Sequence, residues 1–360
     1  MNVLVDTERL RSLETGLGQM CLWLGRELAR SRPADSGLAF LVPPSRAGIF
    51  GADVSYRHAA WWRTIWSGGG AGLDVWHVTH QDSPFRPAGG SRQLLTILDL
   101  NFLERADYSP SRKARRLASL QRKLDRASAI STISHHTASV VRAHLTVPDV
   151  PLRVIYLGNP LESSGPNPDR PGTHPVLGLL PANARFFLFV GVLQPKKNVH
   201  TLVPVMRAFP DRYLVLAGPA EHAYAATLRE TIRAAGLQDR ILIAGRVADE
   251  TKRWLYEGCE ALLFPSISEG FGLPVVEAMS CGKPVFLSRL TSLPEIGGDD
   301  ARYFDSFDPE DMAETVRAGL RAWAADAGAA GRSRARAARF TWRHTAAEYW
   351  SLYEQLGRGV

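Results

Sequence analysis

The sequence predicts a chain of two α/β domains, each a doubly wound, Rossmann-like unit. Three observations carry this. The length, 360 residues, exceeds one ordinary core of about 100–150 residues and suits two. Short β-rich apolar runs alternate with helical patterns along the whole chain, as expected of a parallel sheet covered by helices. The alternation is interrupted at residues 161–183, where SSGPNPDRPGTHP is rich in Pro, Gly and Ser and has no period, so it reads as a connector.

In the first half, strands are predicted at 1–6, 40–43, 74–79, 94–99, 129–134 and 153–157, with helices fitting between them. A second series begins after the connector, with strands at 186–191, 213–217, 240–245, 261–265 and 284–288. Each is followed by a turn and a helical pattern. The tail, 342–356, carries Ala346, Tyr349, Trp350 and Tyr353 at helical spacing and closes the chain as an amphipathic helix. The expected boundaries are 1–165, 166–340, and a terminal helix at 341–360 that packs back on the first domain. Two such halves place a ligand cleft between them, at the carboxyl ends of their strands.

Composition narrows the classes. Apolar residues make up 45% and charged residues 22%, the balance of a globular protein. No run approaches the roughly 20 apolar residues of a membrane span, and MNVLVDTERL lacks the basic start and apolar stretch of a signal peptide. A cytoplasmic location is expected. Cys21, Cys259 and Cys281 are scattered and without CxxC spacing, so they read as buried free thiols rather than a disulfide framework or a zinc site. The net charge of +7 implies an anionic partner but does not choose among nucleic acid, phospholipid and nucleotide. A nucleic-acid binder would need stacking platforms or a groove-reading motif, and none is evident. A dehydrogenase is disfavoured because neither half shows a clear GxGxxG after its first strand.

The strongest chemical signal is Glu269-Gly270-Phe271-Gly272-Leu273-Pro274-Val275-Val276-Glu277, which follows the strand ALLFPS. Pro274 suits a first helical turn and Gly282 a helix stop. Glu269 is then in the loop before the helix, and Glu277 about one turn inside it. The amides of a glycine-rich loop and a helix start form an anion site suited to a diphosphate. Carboxylates beside such a site accept from hydroxyls, and sugar hydroxyls are natural partners. A helix cap with one solvated glutamate is the bland alternative; it requires neither the second glutamate nor the FGLP loop.

This stretch resembles, almost letter for letter, the EGFGLPxxEAMxxGxPV pattern of the retaining group 1 glycosyltransferases of family 4. The resemblance extends over nearly the whole chain and is densest from 186 to 311. It implies a GT-B fold, two Rossmann-like domains facing each other across a cleft. It also implies that Glu277 holds the nucleotide ribose, while Glu269 and the amides of Gly270, Phe271, Gly272 and Leu273 hold the transferred sugar.

A second constellation is Val190-Gly191-Val192-Leu193-Gln194-Pro195-Lys196-Lys197-Asn198, a strand, a tight turn and a predicted helix start at Asn198. Adjacent lysines at such a turn aim positive charge where a nucleoside diphosphate would gain negative charge as it leaves. The run is similar to the family's GxLxxxK loop, whose basic residues bind pyrophosphate; many members carry Arg where this chain has Val192. An exposed basic turn is the alternative. In the first half, Thr15-Gly16-Leu17-Gly18 lies between the opening strand and an apolar helix. Gly16 and Gly18 would let amides approach the donor phosphates, or they make a plain tight turn.

The acceptor wall is written less clearly. Trp76-His77-Val78-Thr79-His80 ends one predicted strand and Thr96-Ile97-Leu98-Asp99 the next. Family members often place a histidine before the aspartate, where this chain has Leu98, so a general base cannot be carried over. His80 and Asp99 are the acceptor-binding candidates, with a structural or a catalytic His80 left open. Arg112, Lys113, Arg115, Arg116, Arg122, Lys123 and Arg126 crowd one predicted helix, and residues 58–66 hold Trp61, Trp62, Arg63 and Trp66. Cations with interfacial tryptophans suit peripheral docking on an anionic inner membrane; a solvated helix and a core tryptophan cluster are the alternative.

The resemblance thus implies transfer, with retention, of a hexose of mannose or glucose type. The donor is GDP- or UDP-linked, and the acceptor is a glycan or lipid-linked oligosaccharide of bacterial surface polysaccharide assembly. The lysines stand in for a metal, so neither metal nor cofactor is expected, and nucleic acid is not a partner. A catalytically silent, donor-binding scaffold of the same pathway is the rival reading; intact Glu269, Glu277 and Lys197 argue against it.

Overall fold

Strands covered on both faces by helices read as unbroken apolar runs, because neither face meets water. NVLVD, RFFLFV and ALLF are such runs, and they become the central strands of two parallel sheets. The computed structural model describes residues 1–13, 15–59, 72–86, 90–105, 107–163 and 174–358. It divides into two units, Met1–Pro160 with Phe340–Val360, and Leu161–Arg339.

The first unit contains β1 (Asn2–Asp6), α1 (Gly16–Arg30), β2 (Gly37–Val42), β3 (Ser55–His58), β4 (Val75–Val78), β5 (Arg92–Ile97), α2 (Pro110–Leu124), β6 (Ala129–Thr132), α3 (His135–His144) and β7 (Leu152–Val154). Its sheet runs β3-β2-β1-β4-β5-β6-β7. The second unit contains β8 (Arg185–Val190), α4 (Leu202–Val205), β9 (Arg212–Ala217), α5 (Ala223–Ala234), β10 (Ile241–Gly245), α6 (Asp249–Gly258), β11 (Ala261–Phe264), α7 (Leu273–Ser280), β12 (Val285–Ser288), α8 (Leu293–Gly297), β13 (Arg302–Phe304), α9 (Pro309–Ala325) and α10 (Ala329–Ala337). Its sheet runs β10-β9-β8-β11-β12-β13. The last helix, α11 (Trp342–Gly357), returns to the first unit.

Each order reverses beside its first strand, between β1 and β4 and between β8 and β11. The loops leaving those strands flank a topological switch point, where open α/β sheets bind ligands. Glu269 and both lysines lie on the loops that leave β11 and β8.

The two-domain α/β class expected from the sequence is the class found. Two strands went unread, β3 and β13, both at sheet edges. Each is only three or four residues long and lacks the apolar run of a central strand. The predicted helix start at Asn198 is corrected: Asn198 has a left-handed backbone, φ 56°, between two 3-10 turns, Pro195–Lys197 and Val199–Thr201. The α-helix begins only at Leu202. Asn tolerates this conformation better than most side chains, which suits it to a kink as well as to a cap. Cys21 and Cys259 are buried as expected, whereas Cys281 is only half-buried. Trp61, Trp62, Arg63 and Trp66 lie outside the described residues. Among those that are described, no helix is long and apolar enough to cross a membrane.

Helix α11 buries Ala346, Tyr349, Trp350 and Tyr353. A polar chain joins it to the sheet: His77 Nδ1 lies 2.7 Å from the Tyr353 hydroxyl and Nε2 2.7 Å from Thr96 Oγ1, which in turn meets Ser131 Oγ at 2.7 Å. Burial pushes the His77 imidazole from 6.5 down to about 3, so it is neutral and both ring nitrogens are satisfied by hydroxyls. The unfolded chain takes up this proton below about 6.5, whereas the folded protein resists it until about 3. The stability from this group is therefore intact above that window and falls with pH inside it, by up to ~1.4 kcal/mol per pH unit. His77→Gln should flatten the acid limb of melting temperature against pH; an unchanged limb contradicts the assignment.

Candidate active site

Three loops of the second unit meet at the carboxyl end of its sheet. Gly191, φ 151°, leaves β8 and donates its N–H to Ala217 O at 2.9 Å. Gly218 follows β9, and a Cβ there would lie 2.2 Å from Gly191 O, so only glycine lets these two turns approach. Beyond Gly191, the Pro195–Lys197 turn presents the lysines. The backbone carbonyl of Lys196 accepts from Ile267 N–H at 2.9 Å and Ser266 Oγ at 3.1 Å, which joins the β8 loop to the loop leaving β11.

Across that seam the Lys197 ammonium is ion-paired with the Glu269 carboxylate. Both side chains are about nine-tenths buried, and the ammonium also lies 5.1 Å from the centroid of the Phe264 ring. The sequence assigns these residues to different parts of a donor; in the structure they are each other's partner. Such a pair fixes both groups, and removing either leaves a buried, uncompensated charge. Lys196 is half-buried and contributes to this geometry through its backbone.

The backbone of Glu269 is held as well as its carboxylate. Its N–H donates to Thr291 Oγ1 at 3.1 Å, and Ser292 Oγ donates to the carbonyls of Glu269 and Phe271 at 3.1 and 3.0 Å. Gly270 and Phe271 are buried, and Gly272, φ 104°, turns the chain into α7. A Cβ on Gly272 would meet Leu293 Cδ2 at 2.9 Å. Leu273 and Pro274 open the helix, whose first amides have no acceptor within it and give this end its partial positive charge. Gly282 stops the helix with φ 69°.

Glu277 is 3% exposed on α7, inside an otherwise apolar helix. Its Oε1 accepts from Lys252 Nζ at 2.9 Å and its Oε2 from the Tyr256 hydroxyl at 2.6 Å. Burial alone would lower the Lys252 pKa, but Glu277 and Asp249 reverse this and hold the ammonium above its ordinary value. Burial, reinforced by the Glu277 charge, pushes the Tyr256 hydroxyl well up. Neither residue was singled out from the sequence. A signal existed: a carboxylate in an apolar helix demands a buried donor, and Lys252 and Tyr256 share one face of α6 at i, i+4 spacing.

In the first unit, the loops leaving β1 and β4 also meet. His80 is 2% exposed; its Nε2 lies 3.3 Å from both Glu8 Oε1 and Arg9 Nε. Burial would raise the Glu8 pKa, but His80, Arg9 and Arg11 together hold it below its ordinary value. His80 is thus placed as a brace for Glu8, with its ring shielded from solvent. Asp99 is half-buried and turned onto its own loop, accepting from Asn101 N–H at 3.2 Å and Asn101 Nδ2 at 2.9 Å. Leu98 is buried, and its N–H donates to Gln81 Oε1 at 3.1 Å.

Gly16 and Gly18 form the first turn of α1 rather than a separate loop, with Thr15 as N-cap. The Gly18 N–H is taken by Thr15 Oγ1 at 3.1 Å, and a Cβ on Gly18 would lie 2.1 Å from Ser12 O. Gly18 thus has a local packing reason, whereas a Cβ on Gly16 would meet no atom within 4 Å.

Two Rossmann-like units of parallel sheet are the fold of GT-B glycosyltransferases, and similarity of sequence makes the chain a glycosyltransferase. Residues 178–334 match the family of glycosyl transferases group 1. The chain is 28% identical over 289 residues, 78% of its own length and 74% of the relative's, to O-antigen chain mannosyltransferase B of Escherichia coli. Sucrose-phosphate synthase from Thermosynechococcus elongatus superposes over 100% of both chains with TM-score 0.76 and 18% identity. Anabaena HepE in complex with UDP-glucose superposes over 98% of this chain and 99% of its own with TM-score 0.75 and 18% identity.

Proposed function

We propose that the protein is a retaining, family 4 hexosyltransferase that uses a GDP- or UDP-linked donor, of mannose or glucose type, without a metal ion. The observation that carries this reading is the buried Lys197–Glu269 pair beside the N-terminus of α7. A cation and a helix start together suit a diphosphate, and a fixed carboxylate beside them suits a sugar hydroxyl. In this mechanism the acceptor hydroxyl attacks the anomeric carbon from the face the nucleotide leaves. The anomeric C–O bond breaks with its electron pair going to the departing phosphate, whose oxygen takes the hydroxyl proton. Lys197 stabilises that phosphate as its charge grows. Glu277, with Lys252 and Tyr256, holds the ribose, and the first unit takes the acceptor. Similarity to an O-antigen chain mannosyltransferase supports a glycan or lipid-linked oligosaccharide acceptor in surface polysaccharide assembly, and favours mannose.

A thermal-shift panel of GDP, UDP, GDP-mannose and UDP-glucose in the presence of a chelator tests this reading. A nucleotide at ~100 times its Kd adds ~2.7 kcal/mol, a rise of several degrees for domains of this size. A shift that requires magnesium sinks the metal-free mechanism, and no shift with any of the four sinks the donor assignment.

Membrane docking belongs to the same reading. Arg116 pairs with Asp82 at 2.8 Å, and the Lys123 ammonium turns inward onto Gln81 O and Ser83 O at 2.5 and 2.9 Å. The most exposed cations of α2 are Arg112, whose guanidinium also stacks on the Tyr108 ring at 3.7 Å, Arg115 and Arg122, with Arg126 just beyond the helix; spacings of three, seven and four residues keep them on one stripe, and Lys113 is half-buried. Anionic lipid attracts such residues by about 1 kcal/mol each. Reversing these four charges should abolish sedimentation with phosphatidylglycerol vesicles and leave nucleotide binding intact. Undiminished sedimentation returns the stripe to a solvated surface.

A further inference from the structure

Among the described residues, Thr291 and Asn198 are the non-glycine residues with positive φ. Asn populates this region readily; a β-branched residue does not, so Thr291, at φ 54°, carries backbone strain. A glycine would occupy the same position without it. What threonine supplies is a hydroxyl. Its Oγ1 accepts the Glu269 N–H at 3.1 Å, and the next residue, fully buried Ser292, donates to the Glu269 carbonyl at 3.1 Å. One strand end earlier, Ser288 Oγ donates to Ser266 O at 2.5 Å. The loop leaving β12 thus grips the backbone of the loop leaving β11 on both sides of Glu269, while Lys197 grips the carboxylate.

We infer that Thr291 is a positioning residue, kept in a strained conformation because its hydroxyl fixes the backbone that aims the Glu269 carboxylate at the transferred sugar. This rests on the proposed role of Glu269. The strain and the hydroxyl make opposite demands on stability and activity. Thr291→Gly releases the strain, although the freer unfolded chain offsets part of that gain. It also removes the acceptor for the Glu269 amide. Thr291→Ser keeps the acceptor.

Thr291→Gly, Thr291→Ser and Glu269→Gln are compared with wild type by melting temperature, by hydrogen exchange of the peptide spanning 266–274, and by acceptor-free hydrolysis of GDP-mannose and UDP-glucose. Thr291→Gly is expected to melt near wild type, because the released strain is offset by the unsatisfied Glu269 amide and the freer unfolded chain, to exchange faster in that peptide, and to lose about tenfold or more in kcat with KM within about twofold. Thr291→Ser should restore protection and most of kcat. A Thr291→Gly enzyme with wild-type kcat, or one whose kcat falls only alongside its melting temperature, overturns the inference. Glu269→Gln separates the two failures. If it collapses hydrolysis while Thr291→Gly does not, the positioning role alone is wrong; if it hydrolyses normally, the reading of Glu269 is wrong and the inference goes with it.

Discussion

Lys197→Ala lowers turnover by roughly 10² or more, because a donor aimed at developing charge typically contributes ~2.7 to 4 kcal/mol. In the proposed mechanism the departing nucleotide needs a cation most as the glycosidic bond breaks, and Lys197, ion-paired with a buried carboxylate on the neighbouring loop, would supply it. The same variant has a second, separable consequence: Glu269 is left as a buried, unpaired charge, at a cost of about 3–5 kcal/mol in stability. The double variant Lys197→Ala, Glu269→Gln should therefore recover melting temperature without recovering turnover. If turnover returns with stability, Lys197 is structural. Lys196→Ala should cost less than Lys197→Ala, since the contacts of Lys196 with the β11 loop run through its backbone carbonyl, which the substitution keeps.

Glu277→Ala weakens nucleotide binding strongly, whereas Glu269→Gln mainly lowers kcat. Glu277 is the acceptor for two buried donors, Lys252 and Tyr256, so under the proposed ribose-binding role truncating it removes a partner for the nucleotide and leaves the Lys252 ammonium to the more distant Asp249, 3.8 Å away. A charged hydrogen-bond partner lost from a buried site costs about 1.5–3 kcal/mol, or roughly tenfold to more than a hundredfold in Kd for GDP or UDP. Lys252→Met should shift affinity in the same direction, because an unbraced carboxylate no longer has a fixed position. Titration calorimetry with GDP and UDP on the three variants checks this. Equal loss of nucleotide affinity in Glu269→Gln and Glu277→Ala contradicts the separation of roles.

Much of the fold was legible because parallel strands buried on both faces announce themselves: VLV, FLFV and LLF need no partner residues to be recognised. β3 and β13 have edges and partial exposure instead, and SYRH and RYF carry no such run. The Glu269 to Glu277 stretch was legible because glycine, proline and carboxylate must follow one another in order for that loop and helix start to form. The partners of those carboxylates were not. Lys197 is 72 residues from Glu269, and Lys252 is 25 residues from Glu277. Only the sheet order, which sets β11 beside β8, brings the first pair together. His80 shows the reverse limit: a histidine at a strand end looks chemically available, yet the fold shields it beside Glu8 and Arg9.

The central claim, that catalysis rests on cationic stabilisation of the leaving phosphate and not on a side-chain base, is tested most directly by single-turnover rates of Lys197→Ala and His80→Gln on one donor. A positioned base typically contributes about 10² to 10⁴ in rate. The account predicts a loss of roughly 10² or more for Lys197→Ala and of under about tenfold for His80→Gln. A collapse of His80→Gln beside a nearly normal Lys197→Ala enzyme would contradict it and make His80 the base.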